Sequence, residues 1–140
     1  MHKNILVAID GSRMTSRVLE RAMKEVLLKD GTLTILRVLE TPEYLWSSPK
    51  LRTIMERTKS FLEDELEEMK AEMVKEVPEE KINFFVEYGN PKEKIIDFAK
   101  SSEKSDLIII GATGESEETF AGSTATFVIN FASCDVLVVR

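Results

Sequence analysis

Five apolar, β-rich runs alternate strictly with four stretches of helical periodicity, and this order restricts the fold more than any other property of the chain. Residues 3–9 (KNILVAI) form the first run and stop at Asp10-Gly11-Ser12. Met14, Val18, Ala22, Met23, Val26 and Leu27 then recur at helical spacing over residues 14–28, and Asp30-Gly31 ends the pattern. Residues 32–39 (TLTILRVL) predict a second strand whose nearly unbroken apolar character indicates burial on both faces. A loop with two prolines over 41–49 follows. Leu51, Ile54, Met55, Thr58, Leu62, Leu66, Met69, Met73 and Val77 then mark one face of a helix of about 26 residues, stopped by Pro78. Residues 82–88 (INFFVEY) predict strand three. Asn90 stands as N-cap of the next helix, Pro91 as its first residue and Glu93 as the acid of a capping box, with Ile95, Ile96 and Ala99 inward and the end near Ser101. Residues 106–110 and 135–139 complete the strands, separated by the polar loop ATGESEETFAG and a helix from Ser123 to Ala132. Such an order means an α/β fold, with a parallel sheet, right-handed crossovers and helices on both faces.

At 140 residues the chain makes one domain, 1–140, with no room for separate cofactor and substrate halves. Its 43% hydrophobic content supports a core. The net charge of −6 argues against a nucleic-acid partner gripped by a basic face. The acidity is local: residues 63–80 hold nine acids and two bases, so the remainder is close to neutral. These acids fall largely between the apolar positions of the long helix, as a solvated helix face requires. One cysteine excludes an intrachain disulfide, and no apolar run is long enough for a membrane span. The expectation is a soluble cytoplasmic protein with no membrane partner.

In open α/β sheets ligands bind beyond the carboxyl ends of the strands, where the strand order reverses. Two loops stand out there: Ile9-Asp10-Gly11-Ser12 after strand one, and Gly111-Ala112-Thr113-Gly114 after strand four, with Gly122-Ser123-Thr124 opening the last helix. Glycines let a backbone approach a phosphate, and a helix N-terminus offers unpaired N–H groups and partial positive charge. The plainer reading makes Asp10 a turn residue, the glycines punctuation, and Ser123 and Thr124 ordinary caps. His2 is the sole histidine, so no Ser-His-Asp triad is available. Cys134 has no neighbouring metal-ligating partner and reads as a core residue. Tyr44 and Trp46, beyond strand two, either lid the crevice or cover the core edge, and the second is favoured.

The segments KNILVAIDGSRMTSRVLERA and IIIGATG…GSTATFVINFASCDVLVVR resemble the opening and closing segments of the universal stress proteins, with Ser16 where the family places a second serine. The resemblance spans the chain in element order and is closest at its two ends. It implies a three-layer, Rossmann-like fold of the adenine nucleotide alpha hydrolase type, with five parallel strands in the order 3-2-1-4-5. Strands one and four are then neighbours, and both loops face one crevice. ATP-binding members carry a Gly-two-Gly-nine-Gly-Ser/Thr spacing. Carried over, Gly111, Thr113, Gly114, Gly122, Ser123 and Thr124 would hold phosphates and ribose, Asp10 would lie near the phosphates or their metal, and Ile9 and Val38 would meet the adenine. The implied ligand is ATP or AMP, with Mg2+ held through the phosphates and no dedicated metal site. The implied role is stress response as a binding module, with no catalytic residue assigned.

Here the spacing departs from the family's. Seven residues separate Gly114 from Gly122, and Glu115, Glu117 and Glu118 stand among them. A carboxylate about 4 Å from a phosphate charge costs roughly 4 kcal/mol at an effective dielectric of 20 before screening. Two alternatives therefore stand beside nucleotide binding: a dimeric stress or interaction protein without nucleotide, and a slow metal-dependent ATPase or phosphotransferase. The final run, DVLVVR, has no interior charge or proline to blunt an edge. Either a helix covers it or, as the resemblance implies, residues 135–139 pair with a second copy in a homodimer.

Overall fold

The computed structural model describes residues 3–101, 104–112 and 122–140. The elements run β1 (Asn4–Ile9), α1 (Thr15–Lys29), β2 (Thr32–Glu40), α2 (Pro49–Met73), β3 (Ile82–Gly89), α3 (Pro91–Ala99), β4 (Leu107–Gly111), α4 (Ser123–Phe131) and β5 (Asp135–Val139). Short 3-10 turns at Glu43–Ser47 and Glu79–Lys81 precede α2 and β3. The five strands form one parallel sheet in the order β3-β2-β1-β4-β5, as the resemblance implies.

The apolar runs of β1, β2 and β4 are nearly unbroken because these strands are covered on both faces. Ile5, Val7, Ile9, Leu33 and Ile35 point to one side, where Val18, Ala22 and Val26 of α1 and Leu62, Leu66 and Met73 of α2 cover them. Leu6, Ala8, Leu36, Ile108 and Ile110 point to the other side, under Ile95, Ile96 and Ala99 of α3 and Ala125 and Val128 of α4. The two-residue period of a strand thus divides one apolar segment between two cores. α2 carries six of the nine acids of 63–80, mostly on its exposed face, and the other three follow its end.

Two predicted details differ. The long helix ends at Met73, not Val77: Lys75, Glu76 and Val77 donate to Glu72 and Met73 carbonyls in a turn. The residue before a proline is disfavoured in the helical region, so the chain unwinds before Pro78, while Val77 still reaches the core. Asn90 does cap α3, but Oδ1 accepts from the Lys92 N–H at 2.9 Å. Glu93 makes no return bond, so the predicted capping box is only half formed. At the amino end of the sheet, the Asp106 carboxylate accepts from the Lys3 N–H at 2.8 Å and the Asn4 N–H at 3.2 Å, tying the start of β1 to β4.

Candidate functional site

β1 lies between β2 and β4. The crossovers that leave β1 and β4 lie on opposite faces, since α1 joins the α2 side while α4 joins the α3 side. Helices diverging from neighbouring strands open a crevice at the carboxyl ends. A crevice of about 1220 Å3 lies there. It exceeds the roughly 300–1,000 Å3 of ordinary ligand pockets, so it has room for a nucleotide.

Ile9, Asp10, Val38, Gly111, Gly122, Ser123 and Thr124 all line this one space. Thr113 and Gly114, like Glu115, Glu117 and Glu118, lie outside the described residues. The Gly122 N–H donates to the Ala112 carbonyl at 2.6 Å, bringing the two ends of the β4–α4 connection together. Ala112 in turn donates to Val139 at 2.7 Å, fixing that point to the end of β5.

The helices at the switch point differ from the others in their caps. Ser48 caps α2 and Asn90 caps α3 with side-chain oxygens. Neither α1 nor α4 has a side-chain cap or an acid in its first turn. Their N-terminal dipoles therefore meet the crevice without an internal anion.

Asp10 is exposed, and its Oδ1 accepts from the Ser12 N–H at 2.9 Å, so it serves as the turn residue of the plainer reading while still lining the crevice. Gly11 follows with φ +76, a left-handed conformation that glycine adopts without penalty. A side chain there would collide with Arg37, whose Cζ would stand 2.9 Å from a Cβ. The Arg37 guanidinium therefore lies directly against the β1–α1 turn, brought there by the parallel register of Arg37 beside Ile9.

Sequence reading passed over Arg37, Thr15 and Lys92, all of which line the crevice. The signal for Arg37 was present: an arginine inside the apolar run TLTILRVL is unexpected in a doubly buried strand. Thr15 and Lys92 carried none, because their positions depend on how the helices meet the sheet. Pro91, Ile95, Phe127 and Phe131 form an apolar wall on the α3–α4 side, the two phenylalanine rings 4.5 Å apart.

Tyr44 and Trp46 do not line the crevice. Trp46 sets its ring edge-on to Tyr88 at 4.8 Å, and Lys59 lies 5.2 Å from the Tyr88 ring centre. Burial, reinforced by Glu56 and Glu63, pushes the Tyr88 hydroxyl above its ordinary pKa. Trp46 thus covers the core edge, the reading favoured from sequence, whereas Tyr44 is 74% exposed and does neither. Cys134 packs half-buried beside the α3–α4 core, and burial, with Asp135 and Asp106, raises its thiol pKa, which leaves it less of a nucleophile. Among the described residues no three His, Cys, Asp or Glu side chains cluster to hold a metal, and no helix is long and apolar enough to cross a membrane.

The family model described as the universal stress protein family matches residues 1–140. A Staphylococcus aureus (strain USA300) protein assigned to that family is 31% identical over 141 aligned positions, covering 99% of this chain and 84% of the relative. The universal stress protein UspA from Lactobacillus plantarum superposes with a TM-score of 0.86 at 28% identity, covering 99% of this chain and 98% of that one. A universal stress protein from Archaeoglobus fulgidus, solved in complex with dAMP, shares the fold with a TM-score of 0.61 at 21% identity, over 99% of this chain and 98% of that one. Sheet order, crevice position and these likenesses agree, and the chain belongs to the universal stress protein family.

Proposed function

We propose that this protein is a homodimeric stress-response module that binds an adenine nucleotide, ATP or AMP, at the carboxyl ends of β1 and β4. One observation carries the reading: every described member of the candidate set lines a single crevice with two uncapped helix N-termini. A dAMP complex of a family member supports the ligand class. In the proposed pose the base lies against Val38 and Ile9, and the phosphates meet the first-turn N–H groups of α4 with the Ser123 and Thr124 hydroxyls. Thr113 and Gly114, outside the described residues, belong to the proposed set by the family spacing alone. Mg2+ would be held by the phosphates with Asp10 as the single carboxylate, an arrangement that suits an ion which keeps most of its water. The homodimer forms by pairing of β5 with its symmetry mate.

Calorimetric titration with AMP, ADP and ATP, with and without Mg2+, tests the reading. Saturable heat and a raised Tm are expected for at least one of them. Neither heat nor thermal shift at millimolar nucleotide would reject it. The shortened Gly114–Gly122 spacing and Glu115, Glu117 and Glu118 favour the second reading, a dimeric interaction protein without nucleotide. Mass spectrometry of ligand released from freshly purified protein separates the two: recovered AMP or ATP removes the second.

A further inference from the structure

The α1 side of the crevice holds groups that the nucleotide pose leaves unused. Thr15 is 9% exposed and lines the crevice, yet its Oγ1 is a buried hydroxyl without a hydrogen-bond partner. A buried polar atom left without a partner costs about 1–3 kcal/mol, so its retention calls for an explanation. Beside it the first turn of α1 is only partly satisfied. Thr15 donates its N–H to the Ser12 carbonyl at 3.1 Å, and Met14 donates to Ser12 Oγ at 3.2 Å. The Ser16 and Arg17 N–H groups find no acceptor among the described residues. Arg37 lies across the same turn with its guanidinium against Gly11, and none of the described ion pairs or hydrogen bonds uses it. The acid of the same turn, Asp10, is turned back to Ser12.

We propose that the first turn of α1, the Thr15 hydroxyl and the Arg37 guanidinium form a second phosphate-binding subsite, on the opposite side of β1 from the glycine loop. The ligand group is a phosphate or pyrophosphate: tetrahedral, multiply charged, and able to accept at once from a guanidinium fork, a hydroxyl and helix N–H groups. The charge balance of the two sides supports this placement. In sequence, residues 113–121 carry three acids and no base, whereas residues 10–18 carry two arginines against one acid, Asp10, and Arg37 adds a third cation. The excess of positive charge around the first turn of α1 favours a phosphate there. The subsite adds to the nucleotide reading and does not depend on it.

Pyrophosphate and adenosine, titrated separately into 15N-labelled full-length protein, test the two readings independently. Pyrophosphate is expected to shift the Gly11, Ser16 and Arg17 amides and Arg37 Nε, and adenosine the amides of Ile9 and Val38. Arg37→Ala is expected to weaken pyrophosphate about tenfold or more, with Arg37→Lys recovering part of the loss because a point charge replaces the fork. Thr15→Val is expected to weaken it severalfold while Tm holds or rises, since the substitution removes an unpartnered buried hydroxyl. A purely structural Thr15 would give the reverse pattern. Pyrophosphate shifts confined to Ser123–Ala125, or an Arg37→Ala affinity equal to wild type, would overturn the proposal. Adenosine shifts at Ile9 and Val38 while pyrophosphate leaves α1 unshifted overturn it and leave the nucleotide reading standing, whereas pyrophosphate shifts on α1 with adenosine silent support it and count against that reading. ATP in place of pyrophosphate identifies the source. One common binding curve for Val38 and Ser16 means that the phosphate belongs to the nucleotide, and two curves mean a free anion.

Discussion

Asp30 ends α1 in a left-handed conformation, φ +50, the one non-glycine residue to do so among the described residues. Its carboxylate pairs with Lys81, which joins the end of α1 to the start of β3. The hydrogen bond and charge of Lys81 hold the Asp30 carboxyl below its ordinary value. A depressed carboxyl adds stability that is fully present above the ordinary carboxylate range near pH 4 and disappears as pH falls through the lowered value. Asp30→Asn keeps a residue type that tolerates the left-handed region and removes the charge. Wild type is expected to melt above Asp30→Asn at pH 7, with the gap closing as pH falls through the lowered Asp30 value and shrinking in high salt, as followed by thermal denaturation. The pair is solvent-exposed, so the gap is small. Asp30-Gly31 was legible in the sequence as a helix stop, but the Lys81 partner was not, because it comes from a distant element.

At the scale of elements, α2 shows how much of a helix is set by its apolar positions. Leu62, Leu66 and Met73, spaced by four and seven residues, are buried against the sheet, whereas Phe61 and Ile54 stay largely exposed. Leu66→Ala is expected to cost about 2–5 kcal/mol in urea denaturation, through lost burial and the cavity left behind. Glu67→Gln and Glu68→Gln, on the wet face, are expected to stay within about 0.5 kcal/mol of wild type. Those outcomes would place the negative charge of residues 63–80 in solubility rather than in a binding face. The periodicity gave the axis of α2 and its inward face from Met55 onward, whereas Leu51 and Ile54, which share the spacing, are exposed. Its last turn was misread because Val77 continues the spacing and is buried, although its backbone has already left the helix.

At the scale of the whole molecule, β5 sits at one end of the sheet with β4 as its only neighbour, and its side chains from Val136 to Val139 are half-buried. An edge of this kind is open to pairing with a second copy across a twofold axis. Light scattering at micromolar concentration is expected to give close to twice the chain mass of 15.9 kDa, and a monomer mass would remove the proposed dimer. The sequence by itself determined the class of fold, the inward face of most elements and six of the candidate crevice residues, the seventh, Val38, coming from the family resemblance. These depend on local periodicity, turn chemistry and the rule that sites gather at the carboxyl ends of strands. Only the tertiary structure placed Arg37 over Gly11, left Thr15 Oγ1 without a partner and drew Tyr44 and Trp46 away from the crevice. The reason is that each of these depends on strand register and helix approach, which bring together residues from separate elements. A local pattern carries the direction of a side chain but not the identity of what it meets.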